Sequence, residues 1–97
     1  AVAFSKISIQ SNVLIGVNCS IIDNDGHTLD ANKRHSDVVK SQAVTIEENV
    51  FLGDNVTILK GVTIGKNSVI GNGSIVTKSI PENTIAAGNP AKVIRIL

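Results

Sequence analysis

The sequence predicts an all-β fold: a single-stranded parallel β-helix, wound in six-residue steps around a three-sided prism. Three columns of residues predict it. A large aliphatic returns every six positions at Ile9, Ile15 and Ile21, and again at Ile46, Leu52, Ile58, Ile64, Ile70 and Val76. Three places after it stands Asn or Gly, at Asn12, Asn18, Asn24, Asn49, Asn55, Gly61, Asn67 and Gly73. Four places after it stands a residue that is mostly small: Val13, Cys19, Val50, Val56, Val62, Ser68 and Ser74, ending at Ile80. A period of six matches no helical face, and columns rich in Ile and Val favour strands.

The Asn/Gly column places the corners, because these residues most readily accept a positive φ. Between corners the side chains alternate in and out, so the aliphatic and the small residue two places before it both point inward. Strands this short, turning the same way each time, close a triangular coil after three steps. The coils are expected over about 6–23 and 43–80. So short a stack gains stability from neighbours and needs protected ends. Leu14, Val69 and Ile75 each precede an inward aliphatic and so face out, which points to a subunit interface.

Between Ile21 and Ile46 the period fails, since 25 residues are four sixes plus one. Part of the segment must leave the wall, with its exit near Asn24 and its return near Ala43. This protruding loop, about 24–42, carries both histidines, His27 and His35, among Asp25, Asp30, Lys33, Arg34, Asp37 and Lys40. A loop on a rigid scaffold is a common place for chemistry. Residues 81–97 are expected as a short C-terminal tail on a single domain.

Composition narrows the function. Nine Lys and Arg against eight Asp and Glu give a net charge of +1, which is no footprint for nucleic acid. The lone Cys19 can form no intrachain disulfide, which suits a reducing, cytoplasmic compartment, and its inward position marks it as a packed core residue. No apolar run approaches a membrane span, and the first residues, AVAFSKISIQ, do not read as a signal peptide, so no membrane partner is expected.

The motif DGHTLD, followed by NVFLGD and then by IVTKSIPENTIAAGNPAKVIRIL, resembles the maltose/galactoside O-acetyltransferase branch of the hexapeptide-repeat acyltransferases. The likeness covers roughly Asn18 to Leu97. It implies a left-handed winding, a homotrimer with sites between subunits, acetyl-CoA as co-substrate, no metal, and a small-molecule hydroxyl acceptor such as a sugar. It makes His27 the catalytic base, with His35 off the motif. An imidazole suits the task, since it takes a hydroxyl proton near neutral pH as the oxygen attacks a thioester. Asp23, Asp25, Asp30 or a backbone carbonyl could hold its second nitrogen. The resemblance further implies an oxyanion donor in the main chain of Asp54 and a flat wall for the acetyl or pantetheine group at Phe51. It implies a backbone contact to pantetheine at Asn72, contacts near the adenine at Thr77 and Lys78, and phosphate contacts at Lys92 and Arg95.

Two departures stand out. Phe51 replaces the usual Trp and so lacks an indole N–H. The chain also starts almost directly in strand, where family members carry further N-terminal segments. The alternative is therefore an N-terminally truncated, catalytically impaired trimer scaffold. An antibiotic acetyltransferase shares the scaffold and the base. A zinc enzyme of the γ-carbonic anhydrase kind needs three His per site, and this chain has two. Thr57 and Thr63 lie six apart on different faces, so no threonine ladder for ice is expected.

Overall fold

The computed structural model describes residues 6–24 and 41–97. Its eleven strands are short: β1 (Ile7–Ile9), β2 (Leu14–Ile15), β3 (Ser20–Ile21), β4 (Val44–Ile46), β5 (Phe51–Leu52), β6 (Thr57–Ile58), β7 (Thr63–Ile64), β8 (Val69–Ile70), β9 (Ile75–Val76), β10 (Thr84–Gly88) and β11 (Ala91–Ile96). They form three walls, and the chain visits them in turn. The first wall is β1-β4-β7, the second β2-β5-β8-β10-β11 and the third β3-β6-β9. Every pairing is parallel except that of β10 with β11.

The corners form where the Asn/Gly column lies. Asn12, Asn18, Asn49, Asn55 and Asn67 have φ between 58° and 65°, and Gly61 and Gly73 have φ of 75° and 73°. Asn, like Asp, enters this region more readily than other non-glycine residues, because its short polar side chain can bond locally. Asn24 behaves differently. It bridges antiparallel to Ser41 and so closes the base of the interruption. Ile46 pairs with Ile9 across 37 residues but with Ile64 across 18. The difference of 19 is the length of the 24–42 segment, so the interruption is spliced out of the winding without disturbing it.

The two inward columns make a narrow core. Val44, Ile46, Val50, Leu52, Val56, Ile58, Val62, Ile64, Ile70 and Val76 are all buried, each worth roughly 1.5–3 kcal/mol. Ile9 and Ile15 occupy the same columns in the first coil but stay 46% and 43% exposed, with no described residue stacked beneath them. Cys19 packs partly buried against the core, and its Sγ lies 3.0 Å from the Gly53 carbonyl.

After Val76 the winding departs from the six-residue rule. Ile80 pairs with Ile64, so it takes the aliphatic place and not the small place four residues after Val76. The corner is two residues short, and the Ser79 hydroxyl accepts the Thr63 N–H at 2.9 Å in place of a strand carbonyl. Residues beyond 80 are more than a tail. β10 continues the second wall by pairing with β8, and β11 folds back on β10. Ser68 and Ser74 serve this coil, because their buried hydroxyls accept the N–H groups of Thr84 and Gly88. On the outside of the first wall, Ser8, Thr45 and Thr63 stand in one register, a short hydroxyl column of one serine and two threonines.

Candidate functional site

The second wall gathers most of the expected site. Its outward positions pair in register as Leu14, Phe51, Val69 and Ile85. Phe51 is 47% exposed in the middle of this apolar column. Of the three outward apolars expected at an interface, Leu14 and Val69 therefore share a face, while Ile75 lies on the third wall opposite Thr57.

The corner between the second and third walls holds a ladder that spans coils. Asp54 Oδ1 accepts the Val17 N–H at 2.9 Å, and Asn72 Oδ1 accepts the Asp54 N–H at 2.8 Å. Gly16 and Gly53 make room for it. A Cβ at Gly16 would fall on Asp54 Oδ1, and a Cβ at Gly53 would fall on Asn72 Oδ1. The next residue in the column is Gly88, which has no side chain to accept the Asn72 N–H. That donor is left open among the described residues. The ladder bears directly on the expected oxyanion donor: the Asp54 N–H is already given to Asn72. The signal for it lies in the sequence as a Gly before each of Val17, Asp54 and Asn72, but no single repeat reveals a bond between coils.

β11 runs along the edge of the same wall. Three residues apart in an extended strand, Lys92 and Arg95 would face opposite sides. A register shift between Ile85 and Ala86 leaves Ile94 unpaired, so that Lys92 stands opposite Ala87 and Arg95 opposite Ile85. Both partners are outward positions of β10, so one bulge turns two cations toward one face.

The remaining residues lie elsewhere. Thr77 and Lys78 are in the corner after β9, between the third and first walls. The loop leaves from that same corner, one edge away from the face that carries Phe51 and Asn72. Lys78 therefore does not join Lys92 and Arg95 on one wall. His27 and His35 lie outside the described residues, as do Asp25 and Asp30. Asp23, at the loop base, is buried, and its Oδ1 accepts the Asn24 Nδ2–H at 3.0 Å.

Comparison with known proteins agrees with this geometry. Residues 43–78 match the family model described as the hexapeptide repeat of succinyl-transferase. The galactoside O-acetyltransferase of Escherichia coli is 48% identical over 89 residues, which are 92% of this chain and 43% of that protein. A galactoside acetyltransferase solved with coenzyme A superposes with a TM-score of 0.87 at 48% identity, over 93% of this chain and 44% of that one. A hexapeptide-repeat acetyltransferase of Vibrio cholerae, solved with acetyl coenzyme A, gives a TM-score of 0.89 at 36% identity, over 94% and 49%. The chain spans less than half the length of the first curated relatives it matches. The repeat columns, the spliced-out loop and these likenesses together place the chain in the hexapeptide-repeat acyltransferase family.

Proposed function

We propose that the protein is an acetyl-CoA-dependent O-acetyltransferase acting on a hydroxyl of a sugar or similar small molecule, with His27 as general base. In this reading the prism winds left-handed, three copies assemble in the cytoplasm, and each site lies between two of them. The observation that carries it is the second wall. An exposed aromatic, an open main-chain donor at Asn72 and two cations turned to one face by the Ile94 bulge suit a long ligand with an acyl thioester at one end and phosphates at the other. The loop base and Lys78 lie at a different corner, so a site that joins them to Phe51 is naturally completed by a neighbouring copy.

Each residue then has a task. Phe51 walls the acyl end, Asn72 holds the pantetheine through its main chain, and Lys92 and Arg95 meet phosphate charge. Thr77 and Lys78, from the other corner, meet the adenine end. His27 accepts the proton of the acceptor hydroxyl as its oxygen attacks, and no acyl-enzyme is formed.

Calorimetry with acetyl-CoA, paired with thiol release across a panel of sugars and antibiotics, tests the reading. His27→Ala is expected to bind acetyl-CoA as before while turnover drops about 10²–10⁴-fold. Normal turnover in that variant removes His27 from the mechanism, and absence of binding in the unaltered protein points to the scaffold alternative.

A further inference from the structure

We infer that the side chain of Asn72 supplies the donor to the acyl oxygen, a role that its amino group takes over from the main chain of Asp54. The inference rests on the acetyltransferase reading above and assigns one residue within it. The Asp54 N–H can only donate, so the Asn72 atom 2.8 Å from it is the carbonyl oxygen Oδ1. The amide is thereby oriented, and its Nδ2 is turned away from the ladder. No described residue accepts from Nδ2, and Asn72 is exposed at the corner beside the Phe51 face. Gly53 completes the arrangement, since only a residue without Cβ leaves space for Oδ1. An amide anchored at one end and free at the other is a preorganised donor, the form in which carboxamides stabilise tetrahedral oxyanions.

The step balances simply. The acceptor oxygen bonds to the thioester carbon as His27 takes its proton, and the carbonyl oxygen becomes an oxyanion that accepts from Asn72 Nδ2. Collapse breaks the carbon–sulfur bond, and the departing thiolate takes the proton back from the imidazolium. Asp54 acts only as a positioning residue, because its N–H holds Oδ1 and so aims Nδ2.

The test uses the full chain with acetyl-CoA and with free CoA. Asn72→Ala is expected to lower kcat about 10²–10³-fold while acetyl-CoA affinity stays near that of the unaltered protein. Asn72→Asp keeps an oxygen facing the Asp54 N–H, so it should hold the thermal midpoint while losing turnover. In the unaltered protein the Asn72 side-chain amide resonances should move with acetyl-CoA and not with CoA, which lacks the acyl carbonyl. Unchanged or raised turnover in Asn72→Ala overturns the inference, since truncation would then have uncovered the Asp54 N–H as the working donor. Amide resonances that respond alike to both ligands overturn it as well. If the unaltered protein neither binds acetyl-CoA nor transfers acetyl, the acetyltransferase reading falls first and this assignment goes with it.

Discussion

Asn67 Nδ2 donates to Asn83 Oδ1 at 2.8 Å, while its own Oδ1 accepts from Asn49 at 2.9 Å, so one corner of the prism is tied across three coils by side-chain amides. All three residues have positive φ, from 56° to 65°. The same residue type thus meets two needs at once, a left-handed backbone and a link to the next coil. Asn67→Ala loses both. The backbone term alone costs roughly 1–2 kcal/mol, and the two amide bonds, one exposed and one part-buried, add less than fully buried ones would. Asn67→Gly keeps the backbone freedom and loses only the amides, so it is expected to be the milder change. Urea unfolding of the two variants separates the terms, and equal midpoints would refute the division.

The legibility of this molecule follows the range of its interactions. The columns were readable because each wall position faces the same environment, one coil after the next, and six-residue spacing records it. Asn83 and the shortened corner at Ser79 were not readable, because there a hydroxyl replaces a carbonyl as acceptor and the count of residues changes. The facing of Lys92 and Arg95 was hidden for a similar reason: a bulge breaks the alternation that sequence reasoning relies on. The residues of the second wall could be named from the resemblance. The occupied Asp54 N–H could not, since it depends on a side chain 18 residues away in the next coil.

The core makes a second prediction. Ile64 is fully buried, with Ile46 on one side and Ile80 on the other in the first wall. Ile64→Ala leaves a cavity in a rod too thin to collapse around it, and a loss of about 2–5 kcal/mol is expected. Ile9→Ala, in the same column but half exposed, should cost distinctly less. Denaturant midpoints check the order, and a larger loss at Ile9 would mean that the first coil is covered in solution.

The outward column of the second wall makes a third. Leu14, Phe51, Val69 and Ile85 stand in register on one face. On the trimer reading proposed above, a neighbouring copy covers this apolar stripe. Val69→Glu puts a charge in the middle of it without touching the inward core. Sedimentation is expected to show the assembly shifting to smaller species, with strand content retained by circular dichroism. An unchanged mass in the variant would place the contact between copies on another wall.

The fit between Gly53 and Asn72 makes the last. A Cβ at residue 53 would fall on Asn72 Oδ1, while the nearest main-chain atoms, Asn72 N and Ile70 O, would stand at 3.0 and 3.1 Å. The severe clash is therefore with a side chain that can move, and the main-chain contacts ask only for a small shift. Gly53→Ala should expel the carboxamide and release the Asp54 N–H, costing about 0.5–1.5 kcal/mol for the lost bond, with the strain in addition. With Asn72→Ala already in place, the bond and the clash are both gone, so the same change at residue 53 should cost less. A double-mutant cycle by urea unfolding reads the difference as a coupling of about 0.5–3 kcal/mol. Strict additivity would mean that the glycine is kept for its main-chain neighbours and that Asn72 does not depend on it.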